Sequence, residues 1–92
     1  MAEGQLAWRV QIHRRALKDL ERLPKAIVQR TWQVIERLAV TQLPDDAAAV
    51  KGHESVYRIR IGDYRLIYHL SAETITVLVL RVGHRKDVYR DF

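Results

Sequence analysis

The sequence predicts one α+β domain, in which two helices cover one face of a mainly antiparallel four-stranded sheet. The chain has 92 residues and is 48% apolar, which suits a single compact domain, 1–92, and leaves no room for two. Its hydrophobic period changes from two to about 3.6 after a first strand and later returns to two. The resulting order β-α-α-β-β-β is typical of helices packed on one side of a sheet.

The first half of the chain predicts a strand followed by a helical hairpin. Apolar residues alternate from Leu6 to Ile12, as in a half-buried strand. The spacing is helical from His13 to Arg22, and Pro24 disfavours helix at the residue before it, so it should separate this helix from a second one at Lys25–Val40. The residues expected to face the core are Trp8, Ala16, Leu17, Leu20, Leu23, Ile27, Val28, Thr31, Trp32, Ile35, Leu38 and Ala39.

The second half predicts a loop and three strands. Thr41–Ala49 has no clear period and is expected to be a loop. Val56–Leu70 alternates on both sides of Gly62-Asp63, a dipeptide typical of a two-residue hairpin turn. Ile75–Val82 is apolar on both faces, as in an interior strand, and Gly83 is expected to end it. The remaining tail should be a helical turn or an extended arm.

The register of this hairpin predicts a cluster of like charges. Closing the turn at Gly62-Asp63 puts Arg60 directly opposite Arg65, with Arg58 further along the same face. Like charges that face each other across two strands cost stability. Three guanidinium groups on one open, basic face therefore indicate an anionic ligand, and a nucleic-acid phosphate fits best. Docking of an acidic partner and a plain solvated surface are the alternatives.

Composition narrows the classes of protein that the chain can represent. The net charge is +5 and the sequence pI is near 10.0, which favours polyanions or an acidic protein partner. There is no cysteine, so disulfides and thiolate metal sites are excluded. No apolar run approaches the ~20 residues of a membrane span, and no secretion signal is recognisable. A soluble, cytoplasmic protein without metal or cofactor is expected.

Four fragments of the second half carry a resemblance to a known family. They are Lys51–Gly52, Tyr57–Arg60, Gly62–Tyr68 and Val82–Arg90. The chain resembles the RelE/ParE superfamily of toxins from type II toxin–antitoxin systems, in its RelE-like branch. Element order, length and net charge agree over nearly the whole chain, whereas the specific matches lie in the last 40 or so residues.

The resemblance implies a microbial RNase-like RelE fold and an mRNA interferase activity. Such a toxin is a metal-free endoribonuclease that enters the ribosomal A site, cuts messenger RNA by attack of a 2′-hydroxyl, and inhibits translation until a cognate antitoxin silences it. Two alternatives stay open. The ParE branch shares the scaffold but inhibits DNA gyrase without cutting RNA, and a non-catalytic module would bind only RNA or a protein partner.

The resemblance also implies the roles of individual residues. Arg60 and Arg65 would stabilise charge on the phosphoryl oxygens. Tyr89 would deprotonate the 2′-hydroxyl, helped by guanidinium charges that favour its phenolate. The implied catalytic residues are Arg60, Arg65, Arg85 and Tyr89. The candidate substrate-binding residues are Lys51, Arg58, Arg81 and His84, and Arg81 is included because alternation along its strand points it away from Leu80 and Val82, towards the basic face.

Two features of the chain complicate the catalytic roles that the resemblance implies. Arg58 and Arg60 stand where well-known RelE enzymes carry lysines, and a guanidinium is always protonated, so neither can abstract a proton. Arg85 takes the position that serves the leaving 5′-oxygen, although a guanidinium is a reluctant acid. The neighbouring His84 titrates in the useful range and is a rival proton donor.

Overall fold

The computed structural model describes residues 7–90 and contains a five-stranded sheet with two helices on one face. The elements are β1 (Arg9–Ile12), α1 (Arg14–Glu21), α2 (Lys25–Val40), β2 (Ala48–Ala49), β3 (Val56–Ile61), β4 (Tyr64–Ser71) and β5 (Thr76–His84). The sheet order is β1-β5-β4-β3-β2, with β1 parallel to β5 and all other neighbours antiparallel. The predicted α+β class is therefore confirmed, with one strand more than expected.

The differences from the predicted elements lie at their ends and in one short strand. β1 begins at Arg9, and Leu6 lies outside the described residues. β2 has only two residues, paired with Tyr57 and Arg58, within the segment predicted to be a loop. Two residues are too few for any period to reveal a strand. Gly83 does not end β5, because pairing with β4 continues to His84.

Side-chain hydrogen bonds fix one end of each helix, the start of α1 and the end of α2. His13 is the N-cap of α1, and its Nδ1 accepts a hydrogen bond of 3.1 Å from the N–H of Arg15. Pro24 precedes α2, as the sequence predicted. At the far end of α2, the side-chain amide of Gln42 donates to two backbone carbonyls at 3.2 and 3.1 Å, and the backbone carbonyl of Gln42 accepts a 2.7 Å hydrogen bond from the Tyr68 hydroxyl. Neither helix has the length and apolar character needed to cross a membrane.

The main core lies between the helices and the sheet. It is formed by Ala16, Ile35 and Leu38 of the helices and by Ile59, Ile61, Leu66, Tyr68, Val77, Val79 and Val82 of the strands. Two residues predicted for the core are exposed instead, Leu17 by 47% and Trp32 by 42%. Successive helical residues differ by about 100° in direction. Thr31, which is fully buried, takes the direction towards the sheet, and Trp32 is turned away.

The opposite face of the sheet is partly covered by the C-terminal tail. A smaller apolar cluster joins Val56, Ile67 and Val88 there. The tail forms a helical turn, in which the N–H groups of Asp87 and Val88 both donate to the carbonyl of His84, at 2.8 and 3.0 Å. The face expected to be open is thus divided, with an apolar patch under the tail and the basic residues beside it.

Candidate active site

The hairpin of β3 and β4 has the predicted register. Arg60 pairs with Arg65, and Arg58 pairs with Ile67 on the same face. Gly62 has a φ of +62° in the turn, a left-handed conformation that glycine adopts without strain. The predicted placement of three arginines on one face of a hairpin is confirmed.

The side chains of this arginine pair take different directions. The Nη1 of Arg65 donates to the carbonyls of Gly62 and Tyr64, at 3.1 and 3.0 Å, so its guanidinium is folded back over the turn. Arg60 instead lines a depression at the outer edge of β3, together with residues of α2. Both groups can contact one phosphate only if Arg65 releases a turn carbonyl or Arg60 turns inward.

The charges of the hairpin arginines are not compensated within the described chain. Across residues 7–90, Arg58, Arg60 and Arg65 form no ion pair with a carboxylate. A phosphate is a suitable counterion, because arginine donates paired hydrogen bonds to two of its oxygens. The electrostatic premise of the sequence prediction, unpaired like charges on one face, is therefore present.

The tail is fastened beside this hairpin. The N–H of Arg85 donates to the carbonyl of Asp63 in the hairpin turn, at 2.8 Å. Val88 lies over Gly83, where an added Cβ would stand 3.5 Å from the Cβ of Val88, and Gly83 is the strand partner of Arg65. The structure thus brings the segment that carries Arg85 and Tyr89 to the Arg65 end of the sheet.

Two aromatic residues of this region have distinct environments. Tyr89 is 36% exposed, and its hydroxyl forms no hydrogen bond with residues 7–90. The Nδ1 of His84 accepts a 3.2 Å hydrogen bond from the N–H of Lys86, and the ring stands edge-on to Tyr64 at 5.5 Å. Neutral His84 therefore carries its proton on Nε2, assigned from this hydrogen bond, and presents a donor.

Arg81 is not brought to the hairpin arginines. Its Nε and Nη2 donate to the carboxylate of Asp19 in α1, at 2.9 and 3.3 Å, and Asp19 also accepts from the N–H of Val82 at 2.9 Å. The prediction assumed strict alternation along β5, whereas a register shift at Ile67/Tyr68 breaks that alternation. Its guanidinium already has a partner in α1, so we leave Arg81 out of the candidate site.

Lys51 lies in an exposed turn between β2 and β3, next to Gly52. This places it beyond the end of β3 that is opposite to the Gly62 turn. Its assignment as an RNA-binding residue stays a prediction from the resemblance.

Sequence reasoning missed the residues of α2 that meet Arg60. Arg30, Gln33 and Arg37 line the depression with it, and the space is about 230 Å³. Their spacing of three and four along a helix puts them on one face, a signal that the sequence contained. The period of a helix does not show which strand edge its charged face covers, so the sequence did not predict this depression.

The site provides donors for an anion and no group of metal ligands. Within residues 7–90, no three His, Cys, Asp or Glu side chains are grouped to hold a metal ion. The available chemistry consists of guanidinium groups, a tyrosine hydroxyl and a histidine N–H. These groups can bind a phosphodiester and stabilise charge that develops on its oxygens.

Comparisons with known proteins agree with this fold and identify a family. The family model described as "ParE toxin of type II toxin-antitoxin system, parDE" matches residues 10–89. "Putative toxin RelE1" of Methanocaldococcus jannaschii is 30% identical over 89 residues, covering 94% of this chain and 99% of the relative. "Toxin RelE3" of the same organism is 35% identical over 80 residues, covering 83% and 89%.

A solved complex has the same fold. The archaeal RelE–RelB complex from Pyrococcus horikoshii OT3 contains a chain that superposes with a TM-score of 0.77 at 30% identity, covering 90% of this chain and all of that one. The family match spans nearly the whole chain, and the two relatives cover 94% and 83% of it. The chain therefore belongs to the RelE/ParE family of type II toxin–antitoxin toxins and is RelE-like.

Proposed function

We propose that this toxin is a ribosome-dependent endoribonuclease that cuts messenger RNA in the A site. The observation that supports the proposal best is the Arg60–Arg65 pair, which lacks carboxylate partners among residues 7–90. The tail docked beside it adds Arg85 and Tyr89 to the same end of the sheet. This combination matches the chemistry of phosphodiester cleavage and has no evident use in a purely structural domain.

The proposed reaction begins when the 2′-hydroxyl of one nucleotide attacks its own 3′-phosphorus. Tyr89, as phenolate, takes the hydroxyl proton, the new P–O bond forms, and the bond from phosphorus to the 5′-oxygen of the next nucleotide breaks. The products are a 2′,3′-cyclic phosphate and a 5′-hydroxyl, which receives a proton. Arg85 would stabilise the departing oxygen, and the Nε2–H of His84 would be a second donor.

Arg60 and Arg65 would stabilise the additional negative charge on the phosphoryl oxygens, and Arg58 would hold a neighbouring phosphate. Removing one preorganised donor of this kind costs about 10²- to 10³-fold in rate. The arginine at position 60 cannot serve as a base, so proton transfer would depend on the tail. The protein alone should be a weak nuclease, because alignment of the substrate by the ribosome supplies much of the rate.

The proposed protein partner is a cognate antitoxin. Support comes from the Pyrococcus horikoshii neighbour, which was solved as a RelE–RelB complex. For this chain we expect a small acidic or amphipathic protein whose segment covers the basic face or displaces the tail. Either mode would block access of RNA to Arg65.

The decisive experiment is brief expression followed by primer-extension mapping of cellular messenger RNA. Arrest of translation with cuts inside codons is expected for the wild-type chain. The Arg65→Ala, Arg85→Ala double variant should be folded and harmless. A double variant that still arrests translation would show that the catalytic assignment is wrong.

A second function is favoured by the family match itself, whose description names a ParE toxin. A toxin of that kind would inhibit DNA gyrase and leave messenger RNA intact. Supercoiling by purified gyrase in the presence of the chain separates the two functions. Inhibited supercoiling with uncut messenger RNA would select the ParE-like activity.

A further inference from the structure

The edge of β3 carries a second basic site that is distinct from the Arg65 end of the face. We call it the edge pocket, and it is lined by Arg30, Gln33, Val34, Arg37, Arg60 and Ile61. Among residues 7–90, β2 pairs only with Tyr57 and Arg58, and no described strand pairs with the outer edge of β3 beyond them. The edge pocket occupies the space between this open edge and α2.

Three arginines meet in the edge pocket without an acidic residue in its lining. Arg30 reaches across to the hairpin turn, where its Nη1 stands 3.4 Å from the position that a Cβ at Gly62 would take. Arg37 pairs at 3.1 Å with Asp46, and both side chains are about half exposed, so this ion pair is weak and easily exchanged. Among residues 7–90, Arg30 and Arg60 have no ion pair.

We infer that the edge pocket binds a backbone phosphate of RNA outside the cleaved linkage. The guanidinium groups of Arg30 and Arg37 in α2 can grip the oxygens of this phosphate, and the Gln33 amide adds a neutral donor. Arg60 lies between this phosphate and the cleaved linkage and stays available to the latter. Like charges brought together cost stability, and the monoanionic phosphodiester of an RNA backbone offsets part of that cost on binding. Charge complementarity thus specifies an anion, and the forked guanidinium donors suit a phosphate.

RNA is a better occupant than an acidic peptide because of Arg60. Arg60 pairs with Arg65 across the two strands, and its side chain lines the edge pocket. A strand with one phosphate at Arg65 can continue over the edge of β3 and place another phosphate at Arg30. This inference rests on the proposed function, since it assumes an RNA ligand at the Arg65 end.

The test compares the salt dependence of RNA binding between variants. The probes are a short single-stranded RNA with 2′-O-methyl groups, which cannot be cut, and vacant ribosomes. Each lost phosphate contact reduces the slope of log K against log salt by ~0.7 for a single strand. Arg30→Ala should show this reduction and bind about tenfold more weakly at low salt. Gln33→Glu should do the same by placing a carboxylate in the edge pocket.

A matched control is Arg14→Ala, which removes an exposed arginine of α1 that does not line the edge pocket. The slope of log K against log salt for Arg14→Ala should stay closer to the wild-type slope than the slope for Arg30→Ala does. If Arg30→Ala reduces the slope with the short RNA, the phosphate belongs to the substrate strand. If it reduces the slope only with ribosomes, the phosphate belongs to ribosomal RNA. The Arg30→Ala and Gln33→Glu variants should also unfold at or above the melting temperature of the wild type, because each substitution relieves repulsion among the arginines of the edge pocket.

An unchanged slope for Arg30→Ala and Gln33→Glu with both probes would overturn the inference. If the same two variants also bind the antitoxin more weakly, the edge pocket is assigned to a protein partner. Because the RNA is uncleavable, the result is independent of catalysis. A chain that binds through Arg30 but never cuts messenger RNA would refute the proposed function alone.

Discussion

Val88→Ala tests whether the docked tail positions the catalytic groups. Val88 is 1% exposed and packs against Val56 and Ile67. The substitution removes two buried methyl groups at ~0.8 kcal/mol each, and a residual cavity adds to that cost, so about 1.5 to 2.5 kcal/mol should be lost. If this free energy is lost from the docking of the tail alone, the population with an undocked tail rises about 10- to 60-fold.

The assay is amide hydrogen exchange, read at the N–H groups of Val88 and Arg90, which donate to His84 and Asp87. Their exchange should accelerate by that factor, and cleavage on ribosomes should fall with the docked fraction. The matched control is Val40→Ala, because Val40 is 64% exposed and the same atoms are removed. Unchanged tail exchange together with unchanged global stability would refute the role of Val88.

Two further substitutions test contacts that hold the fold around the site. Asp19→Ala should cost about 2 to 4 kcal/mol in urea unfolding, because it leaves Arg81 and the N–H of Val82 partly buried without their acceptor, and a loss under ~0.5 kcal/mol would contradict this. Burial raises the pKa of Tyr68 from 10.0 to about 12, with a smaller contribution from the neighbouring Tyr57. The folded state therefore keeps a proton that the unfolded chain loses, and about 2 to 3 kcal/mol should disappear between pH 10 and pH 12. Tyr68→Phe should lack that loss, and equal alkaline curves for both proteins would contradict the assignment.

The hairpin was predictable because its signal is local. Alternation and the Gly62-Asp63 turn fix which residues face each other, and they gave the Arg60–Arg65 rung correctly. Alternation cannot give the direction of a long side chain. The Arg65 guanidinium donates to a carbonyl of the turn, and the Arg60 side chain lines the depression beside α2. These directions depend on nearby acceptors and on free space, which alternation does not encode.

The errors arose where tertiary contacts override a local period. Arg81 was assigned to a face by alternation, and a register shift in β5 together with the carboxylate of Asp19 placed it towards α1. Thr31 and Trp32 were both placed in the core because both fell on the expected buried phase of α2, but only Thr31 is buried. The covering of the sheet by Val88 depends on a turn of the tail that has no periodic signal.

The most direct test of the central claim is single-turnover cleavage of messenger RNA on programmed ribosomes by the purified chain. With a normal A-site codon, we predict a 2′,3′-cyclic phosphate product and a 10²- to 10³-fold slower reaction for Arg65→Ala. A substrate with a 2′-deoxy nucleotide at the cut site should not react. Cleavage of that deoxy substrate, or full activity of Arg65→Ala, would contradict the account.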